Sequence, residues 1–568
     1  MTSSPNQQIH TSKNLSVPLG TFFRRGEQWI WLTGATLALS LVLIAGLLFI
    51  IVLNGVGYFW PATLTMAEYR QGTEETTRTK ILGVVMKHHE LREGLPDGKG
   101  VRIVKQTQFK IGNRDLFGQD FAWYRDENLS NYSTPEDAVA VERMENGNFY
   151  GFLESVSEGD KVLARGPDAW KTMEEALKTT TALRKKLHHL EREDIGAVNR
   201  EIKEQELEIK RIKRRIKNPE EREAAIARVK EVIARENVVF DGLKKKADQL
   251  RVEGSRFTAV FRTAGGQEKT LELINIVDAY RPNKMNLLEK GLFYVGHVWG
   301  FVFDEPRESN TEGGVFPAIF GTVMMTIIMS LVVTPFGVLA AFYLREYAKQ
   351  GPLVRAVRIA INNLAGVPSI VFGVFGLGFF VYFVGGGIDS LFYPELAPTP
   401  VWGTGGILWA SLTLALLTVP VVIVATEESI AAVPRGVREG SLALGASKFQ
   451  TICNVVLPAS VPGILTGVIL AMARGAGEVA PLMITGVVKL APELPFDGHF
   501  PFLHLDRKFM HLGFHIYDVG FQSPNVEAAR PMVFTTTLLL IIIVVALNVA
   551  AIYLRDRIRK RYIQGAFA

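Results

Sequence analysis

The sequence predicts an α-helical polytopic membrane protein with six transmembrane helices and one large insertion, which is β-rich and carries an antiparallel coiled-coil hairpin. Two observations predict this fold class. Hydrophobic residues make up 48% of the 568-residue chain and charged residues 21%, and the two kinds occupy different stretches. Six apolar stretches reach the length of about 20 residues that a helix needs to cross a bilayer.

The apolar stretches and the insertion divide the chain in order. A tail of 1–28 precedes the first transmembrane helix at 29–60, and the insertion fills 61–310. A core of 311–556 follows, with a polar loop of 427–460 and a tail of 557–568. Its five helices are predicted at Val315–Leu344, Ile359–Ile388, Leu396–Thr426, Ala459–Val488 and Pro531–Leu554. The first stretch is too long for the apolar part of a signal peptide, so it is expected to remain as an anchor.

Basic residues predict the orientation. Lys and Arg precede the first helix, follow the second, occur in 427–460 and follow the sixth, whereas 385–402 has none. Because basic loops stay in the cytoplasm, both termini and 427–460 are predicted there, and 61–310 in the periplasm of a bacterial inner membrane. The net charge of +6 is small for this length and favours membrane orientation over nucleic-acid binding. The single cysteine, Cys453, excludes an intrachain disulfide.

The insertion contains two kinds of sequence pattern, one of strands and one of helices. Short alternating strands are predicted between 80 and 162, with a hairpin turn at 145–148, and a second hairpin surrounds Gly265-Gly266. Between them, apolar residues at alternating steps of three and four over about 168–251 predict two helices packed along one seam. Asn218-Pro219 predicts the turn between these helices. The hairpin is either a solvated spacer or an arm that docks a partner.

Arg474 and Glu478 lie inside the predicted fifth helix. A charge at the bilayer centre costs about 2.5–3.5 kcal/mol, so such residues usually face a protein interior or a water-filled path. Their spacing predicts an ion pair on one helix face. One interpretation is a structural salt bridge between packed helices. The other is a role in transport, for which arginine suits an oxyanion because its planar group holds two oxygens at once.

Two other polar groups are weaker candidates. Asn363 and Ser369 open the third helix on either side of Pro368, where either a pathway or a simple kink is consistent with the residues. His511 and His515 are four residues apart, with His499 and His504 nearby, but they lack a metal-site pattern, so no metal is predicted. The segment 94–100 resembles a phosphate-binding loop superficially and lacks its final Ser or Thr, so no ATP hydrolysis by this chain is expected.

The segment 438–458 resembles the EAA loop of ABC importer permeases. Glu439-Gly440-Ser441 stands for Glu-Ala-Ala, Gly445 for the following glycine, and Leu457-Pro458 for the end of the motif. In that family the loop docks on a separate ATPase subunit. The resemblance implies that the ATPase-coupling residues are Glu439, Gly440, Ser441, Leu442, Ala443, Leu444, Gly445, Ala446, Leu457 and Pro458.

Three further segments, at 312–322, 363–373 and 473–482, resemble the permeases of phosphate-specific ABC importers, the PstA type more than the sister PstC type. The resemblance covers about 312–554 and implies a pathway shared with a PstC-like sister permease. It also implies two cytoplasmic ATPase subunits, a periplasmic phosphate-binding protein and inorganic phosphate as substrate. It implies no cofactor, and Arg474, Glu478, Asn363 and Ser369 are its expected pathway residues. A permease for sulfate or molybdate and a membrane sensor of phosphate status remain alternatives.

Overall fold

The computed structural model describes residues 27–70, 78–94, 101–397, 399–498, 500–523 and 526–565. Within these ranges, six helices are long and apolar enough to cross a membrane, which confirms the predicted number. Outside the described residues lie the N-terminal tail to residue 26, His499, and residues 95–100 of the segment that superficially resembles a phosphate-binding loop. The spans are Trp29–Phe59, Phe316–Tyr347, Ser369–Phe392, Ile407–Ala432, Lys448–Gly477 and Ala529–Lys560.

The insertion contains two antiparallel sheets. Their strands are β1 Thr65–Arg70, β2 Arg78–Gly94, β3 Val101–Lys110, β4 Phe121–Arg125, β5 Leu129–Ser133, β6 Val139–Arg143, β7 Phe149–Glu158, β8 Lys161–Arg165, β9 Phe257–Arg262, β10 Glu268–Glu272 and β11 Ile276–Tyr280. The first sheet has the order β4-β3-β2-β1-β5, and the second has the order β10-β9-β7-β6-β11 with β8 on β7. The turn at Asn146-Gly147 and the turn before Gln267 join antiparallel partners as predicted, and the β-rich region is therefore present.

The helices are α1 Glu27–Val56, α2 Ala169–His189, α3 Ile195–Arg215, α4 Pro219–Ser255, α5 Leu287–Phe303, α6 Phe316–Phe342, α7 Pro352–Leu364, α8 Ser369–Phe375, α9 Gly386–Phe392, α10 Ile407–Ala432, α11 Arg435–Ala443, α12 Lys448–Thr451, α13 Leu457–Gly477, α14 Ala480–Thr485, α15 Leu512–Tyr517 and α16 Val526–Gly565. The π-helical segment Gly376–Gly385 joins α8 to α9 in one span.

Helices α3 and α4 form the predicted helical hairpin. The side chain of Asn218 caps α4 by accepting the backbone N–H of Glu220 at 3.2 Å, and Pro219 opens the helix. The residues of the predicted seam, such as Ile202 and Ile233, are half-buried, because two helices alone cannot exclude solvent. Helix α2 instead buries Met173 and Ala176 in the core of the second sheet and belongs to that domain.

Three core helices differ from their predicted limits. The third span begins at Ser369 and not at Ile359, because Pro368 lacks an N–H and restricts its neighbour, which separates the amphipathic α7 from α8. The fourth begins at Ile407 because the carboxylate of Asp389 accepts the N–H groups of Val401, Trp402 and Gly403 at 2.6–3.0 Å and fixes a loop there. The fifth ends at Gly477 and not at Val488.

The core packs around α6, α10 and α13. Met325, Met329 and Leu414 are fully buried in its largest apolar cluster, against which Leu364, Val367 and Met472 also pack. Small residues allow close helix contacts. A Cβ at Gly467 would lie 2.5 Å from the Cβ of Ala425. The close approach of α13 to α10 therefore depends on glycine at that position.

Candidate translocation site and coupling segment

Two helix breaks border the largest apolar cluster of the core. Glycine 475 in α13 lies against Met329, which is near the middle of the span Phe316–Tyr347, so α13 ends within the core. The break between α7 and α8 contributes Leu364 and Val367 to the same apolar cluster. A Cβ at Gly373 would lie 2.7 Å from the Cα of Pro481, so the short helices α8 and α14 that follow the two breaks touch each other. Helix breaks inside a membrane core occur where the backbone is buried in protein or lines a cavity.

Arg474 and Glu478 meet at the end of α13. The Nε atom of Arg474 lies 3.8 Å from Oε1 of Glu478, a distance beyond that of a good hydrogen bond. Their side chains are 37% and 23% exposed. The prediction that both residues lie within one helix is wrong, because Glu478 has extended backbone with φ −79° and ψ 136°. The loose pair leaves the guanidinium partly open to a second partner.

Asn363 and Ser369 flank the other break. The carbonyl of Asn363 accepts the N–H of Gly366 at 3.0 Å, and Ser369 is the first residue of α8. Among the described residues, the structure gives no hydrogen bond that joins either side chain to Arg474. Their neighbours Leu364 and Val367 reach the same cluster as Met472, so the structure brings the two segments together. Of the four polar side chains, the structure pairs only Arg474 with Glu478.

The segment between the fourth and fifth spans forms two short helices with a glycine turn. Helix α11 ends in a Schellman motif, in which Ala446 N–H donates to the Ser441 carbonyl and Gly445 N–H to the Leu442 carbonyl. Gly445 has φ +87°, a left-handed conformation that favours glycine. A capping box between Ser447 and Gln450 then starts α12. The local sequence therefore fixes the shape of this turn.

The same segment exposes apolar side chains at its surface. Leu444 is 91% exposed, Phe449 67% and Leu442 48%. Gly440 and Glu439 lie on the exposed helix α11 beside them. The chain carries this apolar surface on a polar segment outside the apolar core, and such a patch is typical of a contact with another protein.

Contacts to the ends of the spans hold the segment in place. Arg438 pairs with Glu346 at the end of the second span at 3.0 Å, and Lys448 Nζ donates to the Glu346 carbonyl. The hydroxyls of Ser441 and Thr451 lie 2.9 Å apart and join α11 to α12. Leu457 and Pro458 begin α13 directly after a π-helical turn. Sequence reasoning missed Glu346, although its place at the end of an apolar stretch next to basic residues was a signal.

The histidines before the sixth span are packed and not arranged as a metal site. His511 and His515 are each 1% exposed, and burial lowers the pKa of His511 to about 3 and that of His515 to about 4. The Nδ1 atom of His511 accepts the N–H of Gly513 at 3.1 Å and caps α15. No group of three potential metal ligands occurs within the described ranges.

Comparisons with known proteins agree with this geometry. Residues 333–564 match the family described as the binding-protein-dependent transport system inner membrane component. The probable ABC transporter permease protein YqgH of Bacillus subtilis is 34% identical over 194 residues, which are 34% of this chain and 59% of that protein. The probable ABC transporter permease protein YqgI of Bacillus subtilis is 33% identical over 256 residues, which are 44% of this chain and 80% of that protein. The probable phosphate transport system permease protein PstA of Methanocaldococcus jannaschii is 34% identical over 254 residues, 44% of this chain and 79% of that protein.

Six candidate spans, two broken helices and an exposed helical loop between the fourth and fifth spans define a membrane-embedded helical permease. The chain belongs to the family of binding-protein-dependent transport system inner membrane components. Its members are permease subunits of ABC transporters and are not enzymes, since ATP hydrolysis resides on a separate chain. The family therefore implies association with an ATPase subunit and with a solute-binding protein.

Proposed function

We propose that this chain is a PstA-type permease subunit of an ATP-driven importer of inorganic phosphate. The observation that carries the proposal is the 34% identity over 79% of a relative that is named as a phosphate transport system permease. A PstC-like sister permease would complete the pathway, and a periplasmic phosphate-binding protein would deliver the solute. The importer would lie in a bacterial inner membrane with both termini of this chain in the cytoplasm.

The broken helices supply the chemistry for an oxyanion. Phosphate spreads its charge over several oxygens, and a guanidinium can donate to two of them at once. Arg474 is suited to this task because its contact with Glu478 is long and its side chain is partly open. Glu478 would compensate the charge of Arg474 when phosphate is absent. Asn363 and Ser369 would add neutral donors at the second break.

The exposed loop supplies the coupling. A cytoplasmic ATPase subunit would cover Leu442, Leu444 and Phe449, which are exposed in the isolated chain. Glu439 to Ala446 would carry its movement to Glu346 through Arg438, and thus to the second span. Leu457-Pro458 would pass the same movement directly into α13, whose far end holds Arg474. Helix α13 would thus connect the ATPase contact to the helix break.

Radiolabelled phosphate uptake by phosphate-starved cells tests the proposal. The deletion of this chain should abolish high-affinity uptake, and Arg474→Gln should lower it roughly 10- to 100-fold, the equivalent of one lost charge-assisted contact of about 1.5–3 kcal/mol. Arg474→Lys keeps the charge without the planar fork, so its uptake should lie between that of the wild type and that of Arg474→Gln. Arg559→Gln, which changes an exposed arginine at the far end of the sixth span, is the matched control.

Three results would contradict parts of this scheme. Normal uptake by Arg474→Gln with normal protein amounts would make Arg474 a structural residue. Uptake that sulfate or molybdate competes away would assign another oxyanion. Unchanged uptake in the deletion, together with a lost response to phosphate starvation, would make the chain a sensor.

A further inference from the structure

A large cavity lies where the β-rich insertion meets the first and sixth spans. Its volume is about 1010 Å³, and it is open on one side. The end of the first span contributes Asn54 and Tyr58, and the beginning of α16 contributes Arg530 and Phe534. Because both spans reach their outer limit here, the cavity lies at the depth where the hydrocarbon of a bilayer gives way to water.

Helix α5 forms one wall and presents an apolar face beside the cavity. Phe293 and His297 pack on Tyr280 of the insertion, with ring centroids 4.3 and 6.4 Å away. Its opposite face leaves Leu287 80%, Leu292 67% and Trp299 66% exposed. An exposed Leu and Trp face suits a membrane interface, where acyl chains would lie next to the mouth of the cavity.

The lining carries charges of both signs. Of the described residues that form it, seven are carboxylic acids and five are Lys or Arg. Some are already paired: Arg114 contacts Asp120 at 2.6 Å and Glu308 at 2.7 Å. Because the lining offers partners of both signs, it favours a ligand that carries a cationic group together with its anionic one.

Lys110 and Glu312 extend this argument. Burial by itself lowers the pKa of Lys110, but Tyr150 and Glu312 hold that pKa above its ordinary value. Burial raises the pKa of Glu312 to about 7, against the opposing effect of Lys110. Near neutral pH the cavity therefore offers a permanent ammonium donor and a carboxyl group that is fully ionised only when a further cation approaches it.

We propose that this cavity binds the headgroup of a zwitterionic phospholipid, with the lipid phosphate at Lys110 and the lipid ammonium at Glu312. The acyl chains would pass along the exposed face of α5. The cavity has room for a headgroup and its glycerol backbone. Gln108 contacts Glu527 at 2.8 Å and so links the insertion to the approach to the sixth span. Arg114 contacts Glu308 and so links the insertion to the approach to the second span. The lipid would join the same three parts.

Native mass spectrometry of the full-length protein, purified with its partner subunits, tests the proposal with phosphatidylethanolamine as the probe. The wild type should retain this lipid. Glu312→Gln and Lys110→Gln should each lower its retention on the order of tenfold, as expected for the loss of one hydrogen bond to a charged group. Lys105→Gln is the matched control, because Lys105 lies on the same strand with its side chain 68% exposed.

Gly296→Leu gives an independent variant. Gly296 lines the cavity, and a Cβ there would meet no atom within 4 Å, so leucine fills space without a clash. This variant should fold normally and expel the lipid. Equal retention by wild type and all three cavity variants would overturn the proposal.

Two further probes separate the possible sources of the phosphate group. Phosphatidylglycerol lacks the ammonium, so its retention at the level of phosphatidylethanolamine would overturn the zwitterionic assignment. Inorganic phosphate that displaces the lipid at equal concentration would make the cavity a site for free phosphate instead. The readout is lipid retention and does not depend on whether the chain transports phosphate.

Discussion

At the scale of the residue, one backbone conformation shapes the coupling segment. Gly445 has φ +87° and closes the Schellman motif of α11, whereas Gly440 lies in the helix with no constraint of this kind. A Cβ at either position would meet no atom within 4 Å. Space is therefore not what distinguishes them. The left-handed conformation alone costs an L-residue roughly 1–2 kcal/mol.

Gly445→Val should therefore lower phosphate uptake by more than about tenfold while the protein still reaches the membrane, because a β-branched residue is strongly disfavoured at positive φ. Gly440→Ala should leave uptake unchanged, and it restores the alanine of the Glu-Ala-Ala pattern. Uptake assays with immunoblots of membrane fractions measure both. Normal uptake by Gly445→Val would refute a coupling role for this turn.

Glu312 gives a pH dependence at the same scale. Its pKa rises from an ordinary 4.5 to about 7 in the folded protein, chiefly through burial. The folded state therefore binds this proton more tightly than the unfolded state, so its contribution to stability is lost as the pH rises through 7. The melting temperature of the wild type should fall between pH 5 and 8 more steeply than that of Glu312→Gln. Parallel curves would show that Glu312 titrates normally.

At the scale of the element, α3 is tied to two separate loops of the core, and the segment just before α3 is tied to Glu305. Arg200 pairs with Glu493 at 3.2 Å and Arg211 with Glu395 at 3.1 Å, and Arg192 pairs with Glu305. The hairpin therefore lies across the core and does not project freely. These contacts decide its direction, which heptad spacing could not predict.

Reversal of one pair should loosen the hairpin. In Arg211→Glu, spin-label distances between α3 and the loop that carries Glu395 should broaden, and adding Glu395→Arg should narrow them again. Replacement of Cys453 by Ser gives a cysteine-free background for the labels. The interaction between the two side chains should be weak, because Arg211 is half exposed and water screens the charges. Arg235→Glu, on α4, is the control, and an identical distribution in all variants would show that the pair does not position the hairpin.

At the scale of the whole molecule, the chain joins a permease core to a domain with its own apolar core. Phe149, Phe261 and Met173 are almost fully buried within the second sheet and α2. Because α2 supplies part of that core, the helical stretch is not a single removable unit. Only α3 and α4 extend beyond the domain.

Deletion tests this division. Removal of 195–250 with a short Gly-Ser bridge should leave the domain folded. The Nη2 atom of Arg251 lies 2.5 Å from Oε1 of Glu191, so side chains on the two sides of the cut are already in contact. Removal of 168–251 takes Met173 and Ala176 from the core and should destabilise the domain by several kcal/mol. Limited proteolysis of membranes compares the two. Equal resistance would contradict the role of α2.

The sequence by itself determined the six spans, the strand hairpins, the seam of α3 and α4 and the glycine turn at 445, because each depends on local composition or periodicity. The periplasmic location of the hairpin remains a prediction. The roles of Arg474 and Glu478 and the orientation of the termini also remain predictions. Only the tertiary structure decided where the third, fourth and fifth spans begin and end. Hydropathy cannot detect a helix break inside an apolar stretch, and the carboxylate of Asp389 fixes its loop through residues distant in sequence. For the same reason the sequence did not predict the cavity at α5 or the contacts of Glu346 with Arg438 and Lys448, since both depend on side chains that only folding brings together.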